Sequence, residues 1–190
     1  MLESIFAICL GIGLAAACGF RVFVPMLVVS LAAKTGLVSL AESFEWVGTW
    51  PAVIAFAVAT LLEVGAYYLP WLDNLLDMAA TPAATLAGVL VSAAFIADMH
   101  PLLTWSVAII AGGGVAGTIK TGMAGLRVGS TATTAGTANP ALSTFEWIAS
   151  LAMSLLSLVL PVLAAILAVL IAAVLLRFAW RLFQYFRRSP

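Results

Sequence analysis

The feature that most constrains this chain is the stretch from residue 4 to residue 33, thirty apolar or small positions interrupted by one charge, Arg21. A bilayer core ~30 Å thick is crossed by about 20 residues of helix, so a run of this length reads as membrane-spanning. Further runs follow at 47 to 69, 82 to 97, 102 to 119 and 146 to 176. Composition agrees: 64% of the 190 residues are hydrophobic and 8% charged, with a mean hydropathy of +1.18. A soluble domain carries about 25% charged residues, and the sixteen present here cannot cover a water-facing surface. The expected fold is all-α: a polytopic membrane helical bundle of about five crossings, forming one domain over residues 1–190.

What interrupts the runs shapes the bundle. Gly19, Arg21 and Pro25 predict either one kinked helix or two half-helices meeting inside the first run. Thr81-Pro82 reads as an N-cap and first helical position, His100-Pro101 as a turn, and Pro161 as a kink in the long last run. Residues 121 to 144 hold six threonines, four glycines and Arg127. They read as neither a spanning helix nor a charged loop, but as non-helical backbone re-entering the membrane or as an extramembrane loop. Gly11/Ala15/Gly19 and Gly113/Gly117 place small residues four apart. That spacing suits close helix contacts within the monomer, or alternatively a homo-oligomer contact.

Two short sequences recur in order. Gly19-Phe20-Arg21-Val22 is echoed by Gly125-Leu126-Arg127-Val128, and Ser43-Phe44-Glu45-Trp46 by Thr144-Phe145-Glu146-Trp147. The echo suggests two repeat halves, 1–75 and 99–176. The basic tail 177–190, with Arg177, Arg181, Arg187 and Arg188, reads as an amphipathic stretch on the cytoplasmic side of the inner (cytoplasmic) membrane. Counting back from it puts Glu146 and the N-terminus outside and gives the halves opposite orientations, an inverted repeat. That count requires residues 4 to 33 to cross once; two crossings make the repeat parallel. The first residues lack a basic n-region and read as retained rather than as a cleaved signal.

The charges inside the runs are the candidates for chemistry. A buried arginine costs at least ~2.5 kcal/mol at a bilayer centre, so Arg21 must face protein, a carboxylate or water. Arg127, its partner in the echo, can bring a second guanidinium to the same place, and a pair of planar forks suits a phosphate or carboxylate. Capping of carbonyls or pairing with an acid is the structural alternative. Glu63 is the acid inside the second run, expected to pair with an arginine, or else to carry a proton. Gly19 and Pro25 from the first broken segment, and Thr131, Thr134 and Asn139 from the second, complete the expected binding site. Lys120 ends its run and is expected to snorkel. Asp73 and Asp77 share a helix face and are weak candidates for a metal, with solvated acids the default reading.

Cys9 and Cys18 fall on opposite faces of one helix and cannot pair there. His100 beside Asp98 is a turn former and too sparse for a metal site. Hydrolytic and nucleotide-binding motifs are absent from the sequence, so an enzyme and a cofactor have little support. Nucleic acid is an unlikely partner for a chain of net charge zero; the bilayer itself is the expected one.

Gly19-Phe20-Arg21 through Pro25, Thr81-Pro82-Ala83-Ala84-Thr85 and the Gly125 to Pro140 segment resemble a bacterial family of small integral membrane proteins, domain of unknown function 4126. The resemblance covers nearly the whole chain and implies the membrane class, but no activity, substrate or catalytic residue. The functional expectation therefore rests on the residues. It is a small membrane transporter or channel-like protein with a central arginine-bearing site for an anionic solute or lipid headgroup. The alternative is a non-transporting structural or accessory protein whose arginines hold helices together.

Overall fold

Pro25 has no N–H to offer the carbonyl of Arg21, and its ring crowds that carbonyl, so a helix through residues 4 to 33 is weakened at this point. In the computed structural model the chain breaks there: α1 is Leu2–Phe20 and α2 is Phe23–Lys34. The structure describes residues 2–66, 70–96 and 99–188, and their side chains apart from those of residues 2, 70–78, 182, 183 and 185–188. A 3-10 helix, Glu42–Gly48, leads into α3 (Trp50–Ala66) at an angle of 66°. After α4 (Pro70–Phe95), α5 (Pro101–Val107) passes through a π-helical stretch, Ala108–Gly113, into α6 (Gly114–Thr134). Two further helices, α7 (Asn139–Val159) and α8 (Pro161–Arg188), complete the fold. Among the described residues all regular structure is helical.

The core forms around α1, whose residues Leu14 to Cys18 are fully buried. Small residues set the approach of its neighbours. A Cβ added at Gly11 would stand 3.0 Å from Ser92 Cα on α4, and one at Gly19 would stand 2.7 Å from Ile119 Cβ and 2.8 Å from Ala116 O on α6. One at Gly88 would meet Ala116 Cβ at 2.5 Å and Gly112 O at 2.9 Å. These are the contacts that glycine and alanine permit between backbones in an apolar medium. The π-helical stretch coincides with the Gly112 contact, where a widened turn is seated against α4.

The same contacts fix direction. Gly11 meets Ser92 while Ala15 meets Gly88, so α4 runs opposite to α1. Gly19 lies against Ile119, and Gly112, earlier on the same long helix, lies by Ser92, so α6 runs with α1. Ser157 and Ala164 both border Gly13, and Ser150 Oγ donates to Ala17 O at 2.9 Å; α7 therefore descends along α1 and α8 rises beside it. The start of α2 is tied to Glu63, and Met26 and Val29 line a cavity with Leu90, Val91 and Ala94, so α2 turns back toward the Gly11 end.

Several expectations change. Four helical segments are long and apolar enough to cross a membrane, or five if the bent 3-10/α3 pair is one span, which matches the expected number, although different segments supply it. Residues 146–176 do not form one kinked helix. Leu160 leaves helical geometry (φ −134°, ψ 69°) and Pro161 starts a second helix, because the residue before proline is pushed out of the α region. Residues 121–134, expected to be non-helical, are helical to the end of α6, which closes at Ala135 (φ 51°) and Gly136 (φ 83°). Pro82 lies inside α4 rather than at its start. The inverted repeat finds no support: α1, which Arg21 follows, and α6, which carries Arg127, run in the same direction, whereas α3 and α7, which lie at the two Phe-Glu-Trp echoes, run in opposite ones.

Candidate functional site

Arg21 follows α1 directly, and Glu3–Phe20 of α1 is long and apolar enough to cross a membrane. Arg21 therefore stands at the end of an apolar helix rather than within a longer one. Here α1, α6 and α7 bring three charges together. Glu146 Oε2 lies 3.0 Å from Arg21 Nη2 and 2.7 Å from Arg127 Nη2. All three side chains are buried: Arg21 and Glu146 are each 1% exposed and Arg127 5%. Arg21 Nη2 also donates to the backbone carbonyl of Ser143 at 3.2 Å, one turn before Glu146. A carboxylate and guanidiniums removed from water repay their desolvation only when bonded as closely as this.

The helix break supplies the neighbouring polar group. Val22 N and Phe23 N, at the open end of α2, donate to Glu63 Oε1 and Oε2 at 2.9 and 3.0 Å. A carboxylate at a helix N-terminus is favoured by both the free N–H groups and the helix dipole. Glu63 is thus a cap for α2, and the carboxylate that bridges the two arginines is Glu146. That corrects the expected pairing of Glu63 with an arginine.

The description of a protein family, the domain of unknown function DUF4126, matches residues 8–181. The chain belongs to DUF4126. No curated protein and no solved structure matches it. In this DUF4126 chain the remaining candidates separate by role. Gly19 is packed against α6, and buried Pro25 causes the break. Asn139 Nδ2 donates to Thr131 Oγ1 at 3.0 Å, and Thr134 Oγ1 donates to Ser130 O and accepts from Ala138 N. These three close the turn between α6 and α7, because a helical α6 spends their side-chain polar groups there. The metal candidates Asp73 and Asp77 lie outside the residues whose side chains are described.

Two features escaped the sequence reading. Lys120, expected to snorkel, is 3% exposed, because α6 continues about four further turns beyond it and provides no helix end there. The second is the polar face of α7. Ser143, Glu146, Ser150, Ser154 and Ser157 recur at helical spacing, and Glu146 and the last three serines are buried. That stripe was the available signal: a glutamate in register with buried serines belongs to the inward face.

Proposed function

We propose that this DUF4126 protein is a small multi-pass membrane transporter or channel-like protein whose Arg21–Glu146–Arg127 centre takes an anionic solute or a lipid headgroup. The observation that carries the reading is the sharing of a single carboxylate oxygen, Glu146 Oε2, by two buried guanidiniums. Glu146 occupies the position an incoming anion would take. Carboxylate and phosphate oxygens offer the guanidinium forks the same charge-assisted bonds. An anion binds by displacing Glu146, and the break after α1 is the place where backbone can yield. The exposed Arg177 and Arg181 on α8 favour a cytoplasmic side for the C-terminal end at the inner membrane.

A structural role has its own observation. Arg21 holds the Ser143 carbonyl while Glu63 caps α2, so the cluster ties α1, α2, α3 and α7 together without any solute. Reconstituted vesicles separate the two readings. Uptake of inorganic phosphate and of small carboxylates is measured for the wild type, Arg21→Lys and Arg127→Lys, beside the thermal midpoint of each. For a transporter, flux falls by about tenfold or more while the midpoint moves little. If the wild type moves neither anion and both variants collapse in stability, the structural role stands and the transport reading is lost.

A further inference from the structure

At the Gly11 end of the bundle, away from the arginines, the fold leaves two cavities separated by Phe44. The first, about 280 Å³, is lined entirely by apolar side chains, among them Met26, Val29, Phe56, Leu90 and Val91. The second, about 330 Å³, is lined partly by polar ones: Glu42, Ser43 and Thr104 face it with Trp105 and Ile96. The 3-10 helix Glu42–Gly48 forms a wall of both, held by Ala41 N to Ala94 O at 2.8 Å and by Ser30 Oγ to Val47 O at 2.5 Å. Trp46, Trp50 and Trp105 are exposed around it, with Lys34 Nζ 5.4 Å from the Trp50 ring centroid. A belt of tryptophan with a basic residue marks the membrane–water boundary. The apolar cavity therefore lies just inside the lipid layer and the polar one at its edge.

We propose that this pair of cavities is a binding site for one ethanolamine-type phospholipid, with an acyl tail in the apolar cavity and the ammonium beside Glu42. An apolar cavity of this size stays dry and gains contacts only from an apolar occupant. Leu90, 42% exposed, borders it, so an apolar chain can reach the cavity past this side chain. The head is selected by charge. The Glu42 carboxylate and the Ser43 and Thr104 hydroxyls suit an ammonium, whereas a net anionic head meets like charge from Glu42, with exposed Glu45 three residues along the same helix.

The test uses the purified full chain in detergent with palmitoyl lysophosphatidylethanolamine, palmitoyl lysophosphatidylglycerol and palmityl alcohol as probes. Binding is read by native mass spectrometry and by the rise in thermal midpoint. The expected result is one bound lysophosphatidylethanolamine, about tenfold tighter than either other probe. Leu90→Trp, which fills the cavity from its exposed side, is expected to weaken that binding by about tenfold. Glu42→Gln, a surface change that leaves the packing alone, is expected to bring the two lysolipids to similar affinity. Equal binding of the ethanolamine and glycerol heads to the wild type, equal binding of the alcohol, or a folded Leu90→Trp that binds unchanged would each overturn the proposal.

Discussion

Glu146 holds the charged cluster more firmly than either arginine does, because one of its oxygens faces both. Removing that charge takes one ion-pair partner from each of two buried guanidiniums. Glu146→Gln is therefore expected to destabilise the fold by about 3 to 5 kcal/mol, the usual cost of breaking a buried ion pair. Glu63→Gln keeps a carbonyl oxygen for one of the two N–H groups at a half-buried position, and its expected cost is about 1 kcal/mol. Equilibrium unfolding of both variants in the same detergent compares them, and a Glu63 effect as large as that of Glu146 would contradict the assignment. Arg21 and Arg127 were legible as buried candidates from their place among apolar and small residues. Glu146 was not, because in the linear sequence it heads an apolar run and looks like a boundary charge. Only the α7 helix, starting at Asn139, places it a second turn inside.

At the scale of helices, glycine and proline act according to what lies opposite them. Gly88 lies in the interior of α4 and Gly65 in the last turn of α3. Gly88→Ala would press a Cβ to 2.5 Å from Ala116 and 2.9 Å from the Gly112 carbonyl, whereas a Cβ at Gly65 meets nothing within 4 Å. The expected outcome is a loss of about 1 to 3 kcal/mol for Gly88→Ala, typical of overpacking. Gly65→Ala is expected to gain up to about 1 kcal/mol from helix propensity. Thermal midpoints of the two variants check the sign of each. The prolines divide in the same way. Pro25 breaks its helix where Glu63 is on hand to take the freed N–H groups. Pro82 stays inside α4, whose Ala84, Ala87 and Val91 are buried in the core around α1, so packing overrides the local preference. The spacing of small residues in the sequence announced close contacts, but it did not say which helix would supply the other half of each.

For the whole molecule, the directions of packing decide the topology. With α1, α3, α6 and α8 running one way and α2, α4 and α7 the other, the chain begins at the Gly11 end and finishes beyond the arginine cluster. Reporter domains fused to the N- and C-termini are expected to signal opposite sides of the membrane, and reporters on the same side would refute the direction assigned to α1 or α8. The sequence by itself determined the class: with so few charges and so many apolar residues, a helical membrane bundle is the form in which every backbone group is bonded internally. It also marked where the chain can break, as it does at Pro25 and Pro161, since proline acts on its own neighbours. Whether residues 4 to 33 continue or reverse, and which acid joins the arginines, were decided only by the tertiary structure. Those outcomes depend on contacts between residues more than a hundred positions apart, such as Arg21 with Glu146 and Ala17 with Ser150, and the energy of a buried charge is set by the partner that folding brings to it.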